Sequence, residues 1–459
     1  MALGKRKSES QELWVATTEL PRSPGHPFYK QLNRLLADDG FDAWLEKLCA
    51  PYYHATQGRP SIPPGVYFRM ILAGYFEGIS SQRGIAWRCC DSRSLAEFLG
   101  YGPTQETPDH SSLSRVAQRL PREIHDAVFQ RVLAIAVAKG LVQGKTVAVD
   151  STTLEANAAM KSIVRRDTGE DWKAYVTRLM REAGVIEADE EPTDEQVRRF
   201  DKQRKDKQVS NDEWVSTTDE ESRITRMKDG TTHLAYKAEH VVDLESEFLL
   251  AVTVHGGDAA DTQTLCDSLV EAQVNVQEAG SDVEIREVVA DKGYHGAATV
   301  QLCDDLNFRT YIPEPKRKHR SRWTDKPCGH RDAVYVNRRR VKGARSKRLQ
   351  RLRSERVERS FAHVCETGGA RRCWLIGLAK VTKRYLLQAV ARNLGLILRK
   401  LFGMGTPRGL QPEGALAEFV QLIILILRLA WRVPSALRRL TAPCTTEMQK
   451  TVASGALAA

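Results

Sequence analysis

The chain has 459 residues, enough for roughly two to four domains with a large buried core. Its formal net charge of +11 favours an anionic partner, nucleic acid first among them. Nine cysteines without a C-x-x-C pair, behind an amino terminus with no apolar stretch, argue against a disulfide-built secreted protein and for a reducing, cytoplasmic setting.

Residues 1–25 are polar and of mixed charge and read as a mobile arm. From 26 to 140 the pattern is helical throughout. Leu32, Leu35, Leu36, Trp44, Leu45 and Leu48 recur at helical spacing. Pro63 and Pro64 stand where a helix start tolerates proline, ahead of the run Val66 to Phe76. Ser80 or Ser81 can cap a short helix through Cys90, and Ser94 can cap another from Leu95 to Leu99. Thr107-Pro108-Asp109 opens a helix that carries Ser111, Ser112, Ser114, Arg115 and Arg119. Pro121 begins the next, with Ile124, Val128, Val132 and Ile135 on one face. Short helices joined by tight turns resemble a helix-turn-helix DNA reader, with Arg115 and Arg119 as contacts. A helical scaffold or dimerisation module is the alternative.

The region 141–403 changes character. Thr146-Val-Ala-Val-Asp150 is a short apolar strand ending on an acid. From about 161 to 222 the chain is highly charged. Trp172, Tyr175, Leu179 and Met180 suggest one amphipathic helix there, and 195–208 a solvated one. This reads as an insertion without a core of its own. Thr232 to Asp243 and Phe248 to Val254 form an antiparallel pair, and a helix follows with Asp261 as its N-cap. Ile285 to Asp291 repeats the strand-then-acid design ahead of a Gly turn, and Phe308 to Ile312 is one more strand. Cys328-Gly-His330 lacks the further ligands of a zinc site and reads as loop.

The segment 316–353 is the most basic of the chain. It includes Lys316, Arg317, Lys318, Arg338, Arg339, Arg340, Arg348 and Arg351, with Trp323 and Tyr335 interleaved. Charge runs are usually solvated faces, but this one leads directly into an acidic helix. Phosphate contact is therefore expected, of the kind that positions DNA without reading its sequence. Glu358 lies in that helix, placed at 354–365. An apolar helix from Tyr385 to Phe402 packs on the sheet. Residues 404–459 form a Gly/Pro linker and an apolar helix. Glu418 and Arg428 bound its apolar stretch short of a membrane span, so no membrane is expected.

Two strand acids and one helix acid make a three-carboxylate set suited to a hard divalent cation. An acid after a strand also suits a simple turn cap. The motifs resemble those of DDE transposases of bacterial insertion sequences. Asp150-Ser151-Thr152 is similar to the family's first-acid motif, Ala290-Asp291-Lys-Gly-Tyr294 to the second, and Val357-Glu358-Arg-Ser-Phe361 to the glutamate helix. Tyr236 to Asp243 is similar to the strand between the first two acids. Many relatives carry Tyr, Arg and Lys around the glutamate, where this chain has Arg351, Ser354 and Cys365.

The resemblance implies an α/β fold: an RNase H-like mixed sheet flanked by helices, with an N-terminal all-helical domain and a charged helical insertion after the first strand. It implies Asp150, Asp291 and Glu358 as catalytic and metal-binding residues holding two Mg²⁺ ions, with Mn²⁺ able to substitute. Such paired ions stand roughly 3.5–4 Å apart. It implies as partners double-stranded DNA with terminal inverted repeats, target DNA, and further copies of the chain assembled on DNA. A hydrolytic nuclease on the same core, or a DNA-binding remnant that no longer catalyses, are the competing readings.

Overall fold

A computed structural model describes residues 24–407, apart from 55–56, 59, 206–209, 228–229, 317–322 and 325, together with positions 16, 18 and 20. The arm, Arg317, Lys318 and the C-terminal apolar helix expected in 404–459 thus lie wholly or largely outside the described residues.

Seven helices come first: α1 (Pro27–Asp38), α2 (Phe41–Cys49), α3 (Pro64–Glu77), α4 (Gln82–Asp91), α5 (Arg93–Phe98), α6 (His110–Arg119) and α7 (Arg122–Ala138). Their starts follow local capping chemistry. Ser81 accepts from Gly84 N, and Asp109 from Ser112 N at 2.9 Å. Helix α5 departs from expectation. Ser92 caps it, while Ser94 instead takes the His26 amide at 2.7 Å. Both serines precede the apolar run, and the bend after α4 decides which one meets a free amide.

A mixed sheet follows. Strand β1 (Thr146–Glu155) is central. It pairs antiparallel with β5 (Thr232–Asp243) and parallel with β7 (Glu287–Val289). Strand β6 (Leu249–Gly256) pairs with β5, and β8 (Arg309–Tyr311) runs parallel to β7. Helices α10 (Asp261–Glu278) and α11 (Ala297–Asp305) make the crossovers. After β8 come α12 (His330–Lys342), α13 (Ala344–Phe361), a π-helical turn (Ala362–Thr367) and α14 (Leu378–Phe402). This is the RNase H-like order, helices flanking a mixed sheet.

Two asparagines each bond to a single backbone residue, Ile312 just past β8 and Leu249 in β6, as a neighbouring strand would. Asn337 of α12 bonds to both the amide and the carbonyl of Ile312, at 3.2 and 2.8 Å. Asn393 of α14 does the same to Leu249, at 3.1 and 2.9 Å. A carboxamide offers a donor and an acceptor side by side, so both backbone groups are satisfied without another strand. Helix α14 also reaches the N-terminal helices, where Lys383 Nζ donates to the carbonyls of Ala117 and Leu120.

The insertion differs from the sequence expectation. It contains β2 (Ile163–Arg165), α8 (Trp172–Glu182), α9 (Asp194–Gln203) and β3 (Trp214–Ser216). Val176, Met180, Ile186 and Val197 are buried together, with Trp172, Tyr175 and Phe200 packed on them. The segment therefore has a small core of its own. Its apolar residues are scattered in sequence and meet only because α8 and α9 pack on each other. The chain then forms β4 (Arg223–Arg226), a strand the sequence did not announce, which pairs with β5 at the sheet edge.

Glu271 of α10 carries a titration consequence. Burial pushes its carboxyl up to about 7, against the pull of Arg122. A carboxyl raised in the folded state favours folding while protonated, and that contribution is lost as pH climbs from the ordinary carboxylate range through about 7. Thermal-unfolding midpoints should therefore fall between pH 5 and pH 8, and Glu271→Gln should flatten that decline.

Candidate active site

The parallel register sets the site. Thr146, Val147 and Ala148 pair with Glu287, Val288 and Val289. Carried two residues further, that register sets Asp150 level with Asp291. Asp150, expected at the end of β1, lies mid-strand: β1 runs on to Glu155, paired with β5 and, at Glu155 itself, bridged to Arg372. The strand that ends here is β7. Asp150 is therefore held in regular backbone by β5 on one side and lies beyond the end of β7 on the other. The ends of parallel strands are where α/β sheets commonly bind ligands.

Asp291 sits in the turn beyond β7, its Oδ1 accepting the Gly293 amide at 2.7 Å. Asp150 Oδ1 takes the Ser151 amide at 2.9 Å, and its Oδ2 pairs with the Arg353 guanidinium. Arg353 belongs to α13, the helix that also carries Glu358. This helix begins at Ala344, ten residues before the expected start, and gives way to the π-helical turn after Phe361.

Helix α13 is laid across the strand ends by contacts along one face. Gln350 Nε2 donates to the carbonyls of Ala290 and Tyr311, at 3.1 and 2.7 Å. Arg345 pairs with Glu287, which also accepts from Thr146 and Tyr311. Phe361 stacks on His240, ring centroids 4.0 Å apart, and His240 is the cross-strand partner of Asp150. The His240 ring is fully buried between Ser360 Oγ at 2.8 Å and Tyr385 Oη at 2.9 Å. Burial holds its pKa well below the ordinary histidine value, so it serves as a neutral packing and hydrogen-bonding group.

Glu358 is exposed on this helix and accepts from Ser354 Oγ at 3.1 Å. Arg356 and Arg359, on the opposite flank, face Glu247 in the β5–β6 turn, beside the amino end of β1. Glu358 thus lies on the flank away from that end. Among the described residues, no three His, Cys, Asp or Glu side chains stand close enough to hold one metal ion.

A third aspartate enters the site unannounced. Asp261 is the first residue of α10 rather than its N-cap, which is Ala260. Its carboxylate turns inward. It accepts from Ser151 Oγ at 3.0 Å and pairs with Lys237 Nζ at 2.8 Å. A Cβ on Gly293 would stand 2.7 Å from Asp261 Oδ2 and 2.9 Å from Asp291 Oδ1, so both carboxylates crowd one glycine. Lys237 is buried and also donates to Ala259 O and Thr264 Oγ1. Glu239, two residues on, is buried on Ser268, Thr264 and Tyr294. Its pKa is raised by burial, against the pull of those hydrogen bonds. The alternation Lys237, Glu239 along β5 was the available signal, since two charges on one face of an apolar strand must be paired.

The basic segment divides in two. Arg338 pairs with Glu314, Arg340 with Asp304, Arg345 with Glu287 and Arg353 with Asp150. Lys316, Arg339, Arg348 and Arg351 are exposed and make no ion pair among the described residues. On α6, Arg115 and Arg119 are exposed, the latter over the Tyr53 ring.

The family model described as "Transposase DDE domain" matches residues 143–394, more than half of the chain. The chain belongs to the DDE transposase family. A second model, "Transposase domain (DUF772)", matches residues 18–119 of this transposase, the helical region. No curated protein matches the transposase. A solved structure entitled "Mos1 transposase paired-end complex with left transposon end" is similar at 9% identity and a TM-score of 0.19, covering 71% of this chain and 86% of that one. Among the described residues of the transposase, no helix is long and apolar enough to cross a membrane.

Lys237→Met would leave Asp261 without its counter-charge. Because Asp261 is partly exposed, the expected cost is about 2 kcal/mol of unfolding free energy, below that of a fully buried pair. Adding Asp261→Asn should return much of that loss in urea titrations, and additive losses would show that the two side chains are not energetically coupled.

Proposed function

We propose that this transposase cuts the ends of an insertion sequence and joins them to target DNA, with Asp150, Asp291 and Glu358 as its catalytic acids. The observation that carries the assignment is the β1–β7 register, which sets Asp150 level with Asp291 where β7 stops. Glu358 joins them as the exposed acid of the helix already tied to Asp150 through Arg353.

The donor set is carboxylate oxygen, which suits Mg²⁺ and admits Mn²⁺. Asp150, Asp291 and Glu358 would be the residues that hold two such ions. Such ions supply activation of an attacking oxygen and stabilisation of a leaving one. The protein groups do the rest. The β1 backbone keeps Asp150 rigid, the Gly293 amide orients Asp291, and α13 brings Glu358 along with a guanidinium. A guanidinium matches phosphate oxygens as well as it matches a carboxylate.

The first displacement uses water: its oxygen bonds to phosphorus, the bond to the 3′-oxygen breaks, and a 3′-hydroxyl is released. In the second, the oxygen of that hydroxyl bonds to a target phosphorus while the target P–O3′ bond breaks, and the target strand is left with a free 3′-hydroxyl. Neither displacement needs a protein nucleophile. Two DNA ends handled together call for more than one copy of the chain on DNA carrying terminal inverted repeats. The arginines without an ion pair among the described residues, Arg339, Arg348 and Arg351, with Lys316, are assigned to phosphates. Arg115 and Arg119 on α6 are assigned to the end sequences. Arg338 and Arg340 extend the basic surface, and Arg317 and Lys318, outside the described residues, belong to the same basic run.

With Mg²⁺ and DNA bearing the inverted repeats, Asp150→Ala is expected to abolish cleavage while leaving the unfolding midpoint and DNA affinity nearly unchanged. Cleavage at the wild-type rate would remove Asp150 from the reaction. Glu358→Gln should eliminate strand transfer and Glu355→Gln should retain it, because Glu355 is committed to Arg359 at 2.7 Å. The reverse pattern would reassign the glutamate. Joined products in the same assay separate a transposase from a purely hydrolytic nuclease.

For the basic surface, Arg339→Ala with Arg351→Ala should lower the log–log salt dependence of DNA binding by about 2, one per phosphate contact. Arg338→Ala should change it less, since that guanidinium holds Glu314. An unchanged slope in the double variant would make this a solvated face only.

A further inference from the structure

A second concentration of charge lies beside the amino end of β1, apart from the acids. Glu247 in the β5–β6 turn has a φ of 71°, in the left-handed region that side chains other than glycine rarely adopt. Two arginines hold it there. Arg359 Nη1 donates to both Glu247 carboxylate oxygens at 2.9 Å, and Arg392 Nη1 donates to the Glu247 carbonyl at 2.8 Å.

Next to this knot is a cavity of about 30 Å³, bordered among others by Arg359, His363, Arg392, Arg399, Gly405 and Thr406. The chain turns back along one side of it. Helix α14 ends on Gly403 at a φ of 74° and turns back. The Gly405 carbonyl then comes within 2.9 Å of a Cβ position on Gly395, and the Arg399 guanidinium rests against Gly405.

Charge does not balance in this space. Three arginines line it, and Glu247 is the one acid among the lining residues. Arg392 is only 4% exposed, and its Nε has no hydrogen-bond partner among the described residues. A buried guanidinium N–H without an acceptor carries the full cost of its lost hydration. The side chain responds to this setting. Burial first, with Arg399 and Arg359 adding to it, pushes Arg392 down to about 10, although Tyr75 and Glu247 pull it upward. His363 is lowered by burial and by the same three arginines.

We propose that this cavity binds a small inorganic anion, in the size range of chloride to phosphate, held by Arg392 Nε and the Arg399 guanidinium. One water requires roughly 10–15 Å³ by the same measure, so the space has room for a compact anion. The anion accepts the orphaned N–H and offsets the surplus positive charge. Arginine, weakly hydrated and fork-shaped, suits the task. Occupancy ties α14, the π-helical turn and the β5–β6 turn together at the end of α13, just beyond Glu358.

The test uses the full chain at constant ionic strength, with sodium gluconate replaced stepwise by chloride or by phosphate. Unfolding midpoints should rise along a saturating curve with one of the two, which identifies the anion. Arg399→Gln should weaken half-saturation at least about tenfold, the equivalent of one charge-assisted hydrogen bond. Arg392→Met should abolish the curve. Arg399→Gln, on the exposed rim, keeps the test decisive should Arg392→Met not fold. Arg371→Gln, which removes an exposed partner of Glu366, controls for surface adsorption and should leave the curve unchanged. The absence of a saturable rise with either anion, or equal half-saturation in wild type and Arg399→Gln, would overturn the proposal and leave the cavity to water.

Discussion

Carboxylates crowded at one end of a sheet repel one another, and the structure is arranged around offsetting that repulsion. Asp150 and Asp291 stand level, Asp261 leans in beside Asp291, Glu239 lies buried nearby, and Glu287 lies buried at the other end of β7. Each is answered by a specific group. Arg353 meets Asp150, the Gly293 amide meets Asp291, and Lys237 meets Asp261. Arg345 meets Glu287, and three hydroxyls meet Glu239. Because the two arginines come from α13, neutralising the acids and docking the helix are one event. Charge near the strand ends therefore fixes where the helix bearing Glu358 must lie.

The mixed sheet supplies the other half of the geometry. A central strand with an antiparallel partner on one side and a short parallel partner on the other loses its two neighbours at different points. Strand β5 accompanies β1 to Glu155, whereas β7 is finished at Val289. The result is a rigid backbone beside the end of a shorter strand, which suits a reaction that needs fixed ligands. On the face that α13 covers, His240 joins three elements at once by stacking on Phe361 and bonding to Ser360 and Tyr385. A charged imidazole there would be costly, and its lowered pKa keeps the node neutral.

The helical region is bound to this arrangement through α14. Lys383 takes two carbonyls at the end of α6 and Asn393 takes both backbone groups of Leu249. One helix thus links the candidate reader of DNA ends to the sheet that carries the acids. The arginines of α12 and α13 serve two purposes. Those facing the sheet hold structure, and those facing out remain available to phosphate.

Much of this was written in local sequence. The strand runs at 146–150 and 285–291, the Gly turn after Asp291, the helix caps and the basic run are short-range patterns, readable because alternation and capping depend on neighbours in the chain. Tertiary structure alone decided the rest. Asp261 reads as a cap because acids at helix starts usually are. Only the approach of Lys237 and Ser151, 24 and 110 positions away, turns it into the site. Arg353 reads as one arginine among many until α13 crosses β1. The insertion reads as coreless until α8 and α9 meet. The anion cavity has no motif, since its arginines come from two helices and one of its sides from a backward turn at Gly403. Local chemistry fixed which residues carry charge and where elements begin. Which charges face one another depends on chain crossings, and those follow from burying apolar faces that sequence separation does not encode.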